Sequence, residues 1–411
     1  MRAMKDSGVE WIGEIPQDWE VAQVRYLFNI GRGRVIAQTE LVDDGIYPVY
    51  SSQTKNEGCL GYINSYDFED EQLTWTTDGA NAGTVFLRKG KHNCTNVCGT
   101  LKPLSDSICL LYQKYALEHI AFYHKRADTN GYKIMNNEMA TIKTLIPNIA
   151  EQQRIADYLD SKCSKIDTII EKQQAIIEKL KEYKLSVITE AVTKGLNSDV
   201  EMKDSGIEWI GAVPKHWGVV KLKYATNIMR GKFNHRPRND PRYYDGKYPF
   251  VQTGDVARAN KFINSYSQSL NELGYSVSKE FPKGSICMTI AANIGDVAVL
   301  NFDACFPDSV VGFVATDKVY WEFLYNVLKS MKSQFMRNAI ISTQMNLNIE
   351  IVKEEFIPIA PFEEQKEVVL FLNKKCDAID TAINKKQNLI EKLISYKKSL
   401  IYEVVTGKKK V

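Results

Sequence analysis

Two short basic elements stand out among the residues able to do chemistry. Arg32-Gly33-Arg34 and Arg230-Gly231-Lys232 each set a glycine between two cations. A glycine lets a backbone approach a phosphate closely, and the flanking cations neutralise it. Both elements therefore read as phosphate anchors on a nucleic acid. Further cations follow: Lys55, Arg88 and Lys91 in the first half of the chain, and His235, Arg236, Arg238 and Arg258 in the second. Among these, Lys55, Arg88, His235, Arg238 and Arg258 differ between the halves and are candidates for base discrimination. Gln53, Asn81, Gln252 and Asn293 carry carboxamides, which match the edge of adenine. Asn81 and Asn293 each sit between a small residue and Ala-Gly or Ile-Gly, which also suits a plain turn residue.

Catalytic and metal-binding patterns are missing. There is no FxGxG loop, no NPPF or DPPY motif and no GxxxxGK[ST] loop. Asn239-Asp240-Pro241-Arg242-Tyr243 only echoes the second of these, because arginine replaces a proline. Glu182-Tyr183-Lys184 imitates a nuclease ExK but lies on a helical stretch without a preceding Pro-Asp. His92, Cys94 and Cys98 are poorly spaced for zinc, so packing is expected. No catalytic residue and no metal ligand is assigned. The 8 cysteines form no CxxC pair and read as reduced thiols.

At 411 residues and 44% hydrophobic content the chain should hold two or more cores. Its net charge of +3 excludes a uniformly basic surface, so any phosphate-binding face must be local. No apolar run approaches the ~20 residues of a membrane span and no signal peptide is visible, so a cytoplasmic location is expected.

These elements are positioned by a chain written twice. MKDSGVEWIGEIPQDW from Met4 is matched by MKDSGIEWIGAVPKHW from Met202. Trp11, Pro16, Trp19, Tyr26 and Arg32 pair with Trp209, Pro214, Trp217, Tyr224 and Arg230. INSY occurs at Ile63 and Ile263; Ala80-Asn81-Ala82-Gly83 pairs with Ala292-Asn293-Ile294-Gly295; Met135-Asn136 pairs with Met345-Asn346. The register drifts between INSY and the Ala-Asn-x-Gly element, so the second copy carries an insertion there. Short apolar runs with Gly and Asn turns predict strands, for example from Tyr47, Gly83, Ser107, Tyr248 and Gly295. Helices are expected over Tyr112 to Lys125 and Tyr320 to Arg337.

Each copy ends in a long helix, from about Glu151 to Thr193 and from about Glu364 to Thr406. Apolar residues alternate by four and three. The expected seam is Ile155, Leu159, Ile166, Ile169, Ile176 and Leu180 on the first helix, and Val368, Leu372, Ile379, Leu389 and Leu393 on the second. Polar residues fall in the same register: Lys162 with Lys375, and Gln173 with Lys386. This is a coiled-coil pattern, and matching registers favour pairing of the two helices with each other. Glu151-Gln152 and Glu364-Gln365 are read as helix caps.

The layout of domain, helix, domain, helix resembles the specificity subunits of Type I restriction–modification enzymes over essentially the whole length. The resemblance rests on SGVEWIGEIPQDW with SGIEWIGAVPKHW, on IPNIAEQQRIADYLD with IAPFEEQKEVVLFLN, and on the heptad helices that follow. TTDGANAGTVF and TIAANIGDVAV look like the family's target-recognition signature. The resemblance implies a mixed α/β fold. Two target recognition domains, 1–150 and 197–362, would be separated by antiparallel spacer helices, 151–196 and 363–411, under a pseudo-two-fold repeat. It further implies a non-catalytic chain that reads a bipartite, asymmetric site on double-stranded DNA. Two adenine methyltransferase subunits and restriction/translocase subunits would be its partners, and they would carry S-adenosylmethionine, ATP and Mg chemistry. A related system with a fused methyltransferase–nuclease partner would leave this chain's role unchanged. A coiled-coil scaffold whose globular ends bind proteins is the reading from another class, and the paired basic elements argue against it.

Overall fold

The computed structural model describes residues 2–10, 12–129, 131–235, 237–340 and 346–411; Trp11, Arg236 and Met345 lie outside them. The chain divides into two compact units. Unit 1 is Met1–Gln174 with Gln387–Val411, and unit 2 is Ala175–Lys386. Each unit thus holds one copy's globular part and a stretch of both long helices.

Unit 1 is built on strands β1 (Phe28–Arg32), β2 (Gln72–Thr76), β3 (Val85–Arg88) and β4 (Cys98–Pro103), ordered β1-β4-β2-β3 and antiparallel throughout. β2 is buried along its whole length, as a central strand covered on both faces must be. Trp75 makes this possible: its indole lies flat where a Cβ on Gly99 would be 2.1 Å from the ring, and its Nε1 donates to the Ile134 carbonyl at 3.0 Å. Helix α1 (Leu110–His124) packs Tyr112, Ala116, Leu117 and Ile120 into the same core. The apolar run from Ser107 is therefore the lead-in to a helix, not a strand, because Leu111 to Leu117 is ordered by the core it meets rather than by its β propensity.

Unit 2 repeats the plan with β5 (Thr226–Arg230), β6 (Phe262–Ile263), β7 (Ile286–Thr289), β8 (Val297–Leu300) and β9 (Val310–Ala315), ordered β5-β9-β7-β8-β6. All pairings are antiparallel except β6 with β8. Here Phe281 fills the space over Gly312, where a Cβ would lie 2.5 Å from its ring. The inserted sequence forms the strand Gln268–Leu270, which pairs with Tyr244–Phe250, the helix Glu272–Ser276, and the strand Glu280–Phe281, which pairs with Ala304–Cys305. The helical stretch expected from Tyr320 to Arg337 is broken at Met331 into Trp321–Ser330 and Lys332–Ile340.

The long helices are α2 (Ile149–Lys194, 46 residues) and α3 (Phe362–Val405, 44 residues), each about 65–70 Å at ~1.5 Å per residue. Gly195 and Gly407 take φ +73° and +70° and end them, a left-handed cap that costs glycine nothing. In unit 1 the start of α2 packs with the end of α3: Ile155, Leu159, Cys163 and Ile166 share a core with Leu400, Ile401 and Val404. In unit 2 the end of α2, Ile188 and Val192, shares a core with Val368 and Leu372 at the start of α3. Within each unit the pairing is antiparallel. It is marked by equivalent ion pairs, Asp167 with Lys397 at 2.7 Å in unit 1 and Lys184 with Asp380 at 2.6 Å in unit 2.

The seam differs from the expected one at Ile169, Ile176 and Leu389. Ile155, Leu159, Ile166, Val368, Leu372 and Ile379 are buried, and Leu180 and Leu393 half-buried. Ile169 and Ile176 are 42% and 36% exposed, whereas Ile170 packs on the core and Ile177 is 2% exposed. Leu389 likewise faces outward and Ile390 inward. Cys163 and Cys376 take the places expected for Lys162 and Lys375. Adjacent apolar pairs such as Ile169-Ile170 satisfy the four–three pattern in either phase, so periodicity alone leaves the phase open.

The Glu-Gln pairs do not cap. Asn148 caps α2 by accepting from Glu151 N at 3.0 Å. Gln152 instead ties loops together, accepting from Cys109 N at 2.9 Å and donating to the Pro147 carbonyl at 2.8 Å. Gln365 does the same with Tyr320 N at 2.7 Å and the Ala360 carbonyl at 2.8 Å. A buried carboxamide that satisfies a loop N–H and a loop C=O at once fixes the helix to the domain that precedes it.

Candidate nucleic-acid interface

In each unit one end of the main sheet gathers the repeated polar elements. In unit 1, Arg32 ends β1 opposite Gly99, Thr76 ends β2 opposite Cys98, and the turn from Thr76 to Val85 closes at the same end. In unit 2, Arg230 stands opposite Val311, Thr289 opposite Val310, and the turn from Thr289 to Val297 closes beside them. Arginine and turn are two strand positions apart, about 10 Å.

Both arginines are held the same way. Arg32 Nε donates to the Asn96 carbonyl at 2.5 Å and Arg230 Nε to the Asp308 carbonyl at 2.6 Å. Among the described residues neither guanidinium has a carboxylate within ion-pair distance. A guanidinium pinned through Nε keeps its Nη donors preorganised for an anion. The glycine beside each has another task than the expected one. A Cβ on Gly33 would lie 2.2 Å from the Cys94 carbonyl oxygen, and one on Gly231 2.2 Å from that of Pro307. The close approach is to the protein's own backbone, not to a phosphate.

The other expected cations separate into two groups. Lys55, Lys91 and Lys232 are exposed; the Lys91 amine sits 4.2 Å from the centre of the Tyr66 ring. Four others face carboxylates. Arg34 pairs with Glu40 at 2.9 Å and Asp67 at 3.1 Å, Arg238 with Asp308, and Arg258 with Asp255 at 2.5 Å. His235 stacks on Tyr243 at 3.9 Å and meets Asp240 at 3.1 Å. Asp240 also accepts from Arg242 N at 3.1 Å, which gives the Asn-Asp-Pro stretch a turn-capping role. Arg236 lies outside the described residues.

Arg88 is a correction. It is 2% exposed, with its guanidinium 3.6 Å from the centre of Tyr50 and 4.3 Å from that of Phe86, and its Nε donates to Thr74 Oγ1 at 3.0 Å. A side chain enclosed by two rings does not reach a groove of DNA. Sequence marks Arg88 as a cation after a turn; only the sheet shows that it points inward.

Of the four carboxamides, two are employed internally. Gln53 donates to the Cys59 carbonyl, and Gln252 donates to Gln268 Oε1 at 2.9 Å. The side chains of Asn81 and Asn293 are exposed.

His92 is a core residue, as its spacing from the cysteines implied. Nδ1 lies 2.7 Å from the Gly90 carbonyl and Nε2 3.0 Å from the Gln72 amide, and burial holds its pKa below the usual histidine range. Burial also pushes the Cys98 thiol up to about 11. Among the described residues no three His, Cys, Asp or Glu side chains are grouped to hold a metal, and all the cysteines are free thiols. Lys184 of the ExK imitation is committed to Asp380.

Two repeated features are exposed, one of them against the expectation that placed Ile176 and Leu389 in the helical seam. Tyr26 and Tyr224 are 69% and 70% exposed at equivalent positions, each with a neighbouring cation, Arg25 or Lys223, over the ring. On the helices Ile176 and Tyr183 of α2, and Leu389 and Tyr396 of α3, face outward in the same register. The repeat itself was the available signal for Tyr26 and Tyr224, an aromatic residue kept in both copies.

Residues 16–182 and 214–392 match the family described as the Type I restriction modification DNA specificity domain, and the chain belongs to that family. A Mycoplasma pneumoniae protein described as a type I specificity subunit is 27% identical over 360 residues, covering 85% of this chain and 87% of the relative. The MjaX specificity subunit of Methanocaldococcus jannaschii is 26% identical over 405 residues, covering 90% and 89%. A chain solved in work on complex assembly and conformational transition of the type I R-M system superposes with TM-score 0.71 over 96% of this chain and 99% of its own. At 13% identity that likeness establishes the fold. The protein is a specificity subunit of a type I restriction–modification system, a non-catalytic chain whose role is DNA sequence recognition. Among the described residues no helix is long and apolar enough to cross a membrane.

Proposed function

We propose that unit 1 and unit 2 each read one half of a split, asymmetric site on duplex DNA, with the sheet end that carries Arg32 or Arg230 turned to the DNA. The observation that carries this reading is the identical pinning of those two arginines by Nε in both units. A repeated, preorganised cation suits the phosphate backbone, which is the same in both half-sites. Lys55 and Lys91 in unit 1 and Lys232 in unit 2 are further contacts in this reading. Arg34, His235, Arg238 and Arg258 reach DNA only if they exchange their carboxylate partners for phosphates. The length of α2 and α3 sets the gap between the half-sites.

Two methyltransferase subunits dock on this chain, one per repeat. The reading is supported by outward apolar residues that occur twice in equivalent positions, Tyr26 with Tyr224, Ile176 with Leu389 and Tyr183 with Tyr396. Surface apolar groups retained in register are the mark of an interface. Adenine methylation with S-adenosylmethionine, and the ATP- and Mg-dependent work of restriction/translocase subunits, belong to those partners, and the assembly works in the cytoplasm.

The test is the salt dependence of binding to the mapped site. Arg32→Ala and Arg230→Ala should each weaken binding and lower the slope of log K against log salt by about 1, the loss of one phosphate contact. An unchanged slope removes the phosphate assignment.

A further inference from the structure

The segment that follows the strand Tyr47–Tyr50 is closed at a cost. Asn56 and Glu57 both take left-handed backbone, φ +49° and +52°, though neither is glycine. Asparagine tolerates that region, glutamate does so poorly, and two such residues in succession compound the strain. The segment is latched all the same: Ser51 N donates to the Gly58 carbonyl at 2.9 Å, and the Gln53 carboxamide donates to the Cys59 carbonyl. Beneath it Arg88 Nη2 is buried without a hydrogen-bond partner among the described residues, 3.2 Å from where a Cβ on Gly58 would lie. A strained main chain over an unsatisfied guanidinium donor makes a closed state that little free energy holds shut. Unit 2 solves the same step without that strain. Tyr-Pro is followed by Gln-Thr in both copies, at Gln53-Thr54 and at Gln252-Thr253. In unit 2 Gln-Thr leads into the helix Thr253–Arg258, where Gln252 N donates to Asp255 Oδ2 at 2.9 Å and Val256 is buried in the core. In unit 1 the next residues are Lys55, Asn56 and Glu57, all exposed, which give a helix nothing to bury.

The segment also stands beside the pinned arginine. Thr95 Oγ1 donates to Ser51 Oγ at 3.1 Å, and the next residue, Asn96, supplies the carbonyl that holds Arg32. On its other side Glu57 shares a cleft of about 770 Å³ with the turn 80–84. We propose that residues 54–58 meet DNA by induced fit: on the half-site of unit 1, Asn56 and Glu57 leave the left-handed region and Lys55 closes on a phosphate. The proposal rests on the split-site reading above. Unit 2 meets its own half-site with the same step already folded as a helix. Duplex DNA is the occupant because Lys55, at the tip, is exposed and among the described residues has no carboxylate within ion-pair distance, and because Arg32 close by faces the duplex in that reading. Relief of the strained backbone offsets part of the cost of ordering the segment on DNA, and opening lets water reach Arg88 Nη2.

The test uses this chain in complex with its methyltransferase partner and a duplex bearing the site mapped by modified-base sequencing. Glu57→Ala keeps the Cβ and removes the charge; Glu57→Gly removes the charge and the strain together, so the pair isolates the backbone. Glycine favours the closed, left-handed state of the free protein. E57G should therefore raise hydrogen-exchange protection of residues 51–59 above that of E57A, and bind the site about 5-fold more weakly than E57A does. E57A itself should bind no more weakly than wild type, since it removes a negative charge beside the phosphates. Lys55→Ala should lower the slope of log K against log salt by about 1. Equal affinities of E57G and E57A overturn the rearrangement, and equal or lower protection in E57G overturns the strain. An unchanged slope in K55A overturns the phosphate contact. Unchanged slopes in Lys55→Ala and Arg32→Ala alike sink the reading of the preceding subsection as well, whereas a lowered slope in Arg32→Ala with equal Glu57 variants sinks this one alone.

Discussion

Trp19 and Trp217 hold the same place in the two repeats, yet their surroundings differ. In unit 1 the Trp19 Nε1 donates to Glu151 at 3.0 Å; Arg2 bonds the same carboxylate at 2.5 Å and also reaches Asp18 at 2.6 Å. The hydrogen bond from Arg2 holds the Glu151 carboxyl below its ordinary range. In unit 2 His216 takes the equivalent glutamate, Glu364, at 2.9 Å, and the Trp217 Nε1 is buried without a partner among the described residues. The apolar job, a large ring under the start of a long helix, is common to both. The polar job is solved once and left open once. A similar contrast runs along the sheets: β3 ends in buried Arg88 where β8 ends in buried Leu300. The repeat keeps shape more strictly than it keeps polar chemistry, since close packing penalises a volume change in either copy.

That comparison can be broken first at the glycines. Gly33→Ala and Gly231→Ala should each destabilise their own unit by about 3 kcal/mol, because the new methyl meets a carbonyl with no room to yield. Hydrogen exchange resolved by unit would show it; a variant that keeps full protection would mean the shared backbone plan is not held there. Next comes the tryptophan pair. Trp19→Phe removes a bond to a charged acceptor, whereas Trp217→Phe removes an unsatisfied donor, so the first should cost about 2 kcal/mol more than the second in denaturant unfolding. Equal costs would mean that Glu151 gains nothing from the indole.

Acid should also separate the units. Burial holds His92, His119 and His124, all in unit 1, below the usual histidine range. A histidine with a lowered folded pKa binds more protons when unfolded, so its contribution is present above the unfolded value of about 6.5 and is lost as pH falls toward the folded value. Unit 1 should therefore lose exchange protection below about pH 6.5 before unit 2 does, and simultaneous loss would count against the assignment. The effect nearest zero is Arg88→Leu, which gives unit 1 the residue of unit 2. Replacing a buried cation that lacks an ion-pair partner by an apolar side chain should change stability by within about 1 kcal/mol. A loss of 3 kcal/mol would show that Tyr50, Phe86 and Thr74 hold it as an indispensable anchor.

The arginines at the sheet ends were legible from sequence because an Arg-Gly pair stands at the same step of both copies. Their neighbours were not. Arg34, Arg238 and Arg258 look equally basic in sequence, but Glu40, Asp308 and Asp255 come to them through the fold. Gln53 and Asn81 look alike in sequence; only the turn shows that one carboxamide is used and the other is not.

By itself the sequence determined the duplication, the two long helices and the family, since each is recorded in the order of residue types along one chain. Tertiary structure decided the phase of the helical seam, the fate of each cation and the purpose of the glycines. Those depend on which side of an element faces a neighbour, and Ile169-Ile170 or Gly33 carries no record of that neighbour until distant strands and helices have packed against it.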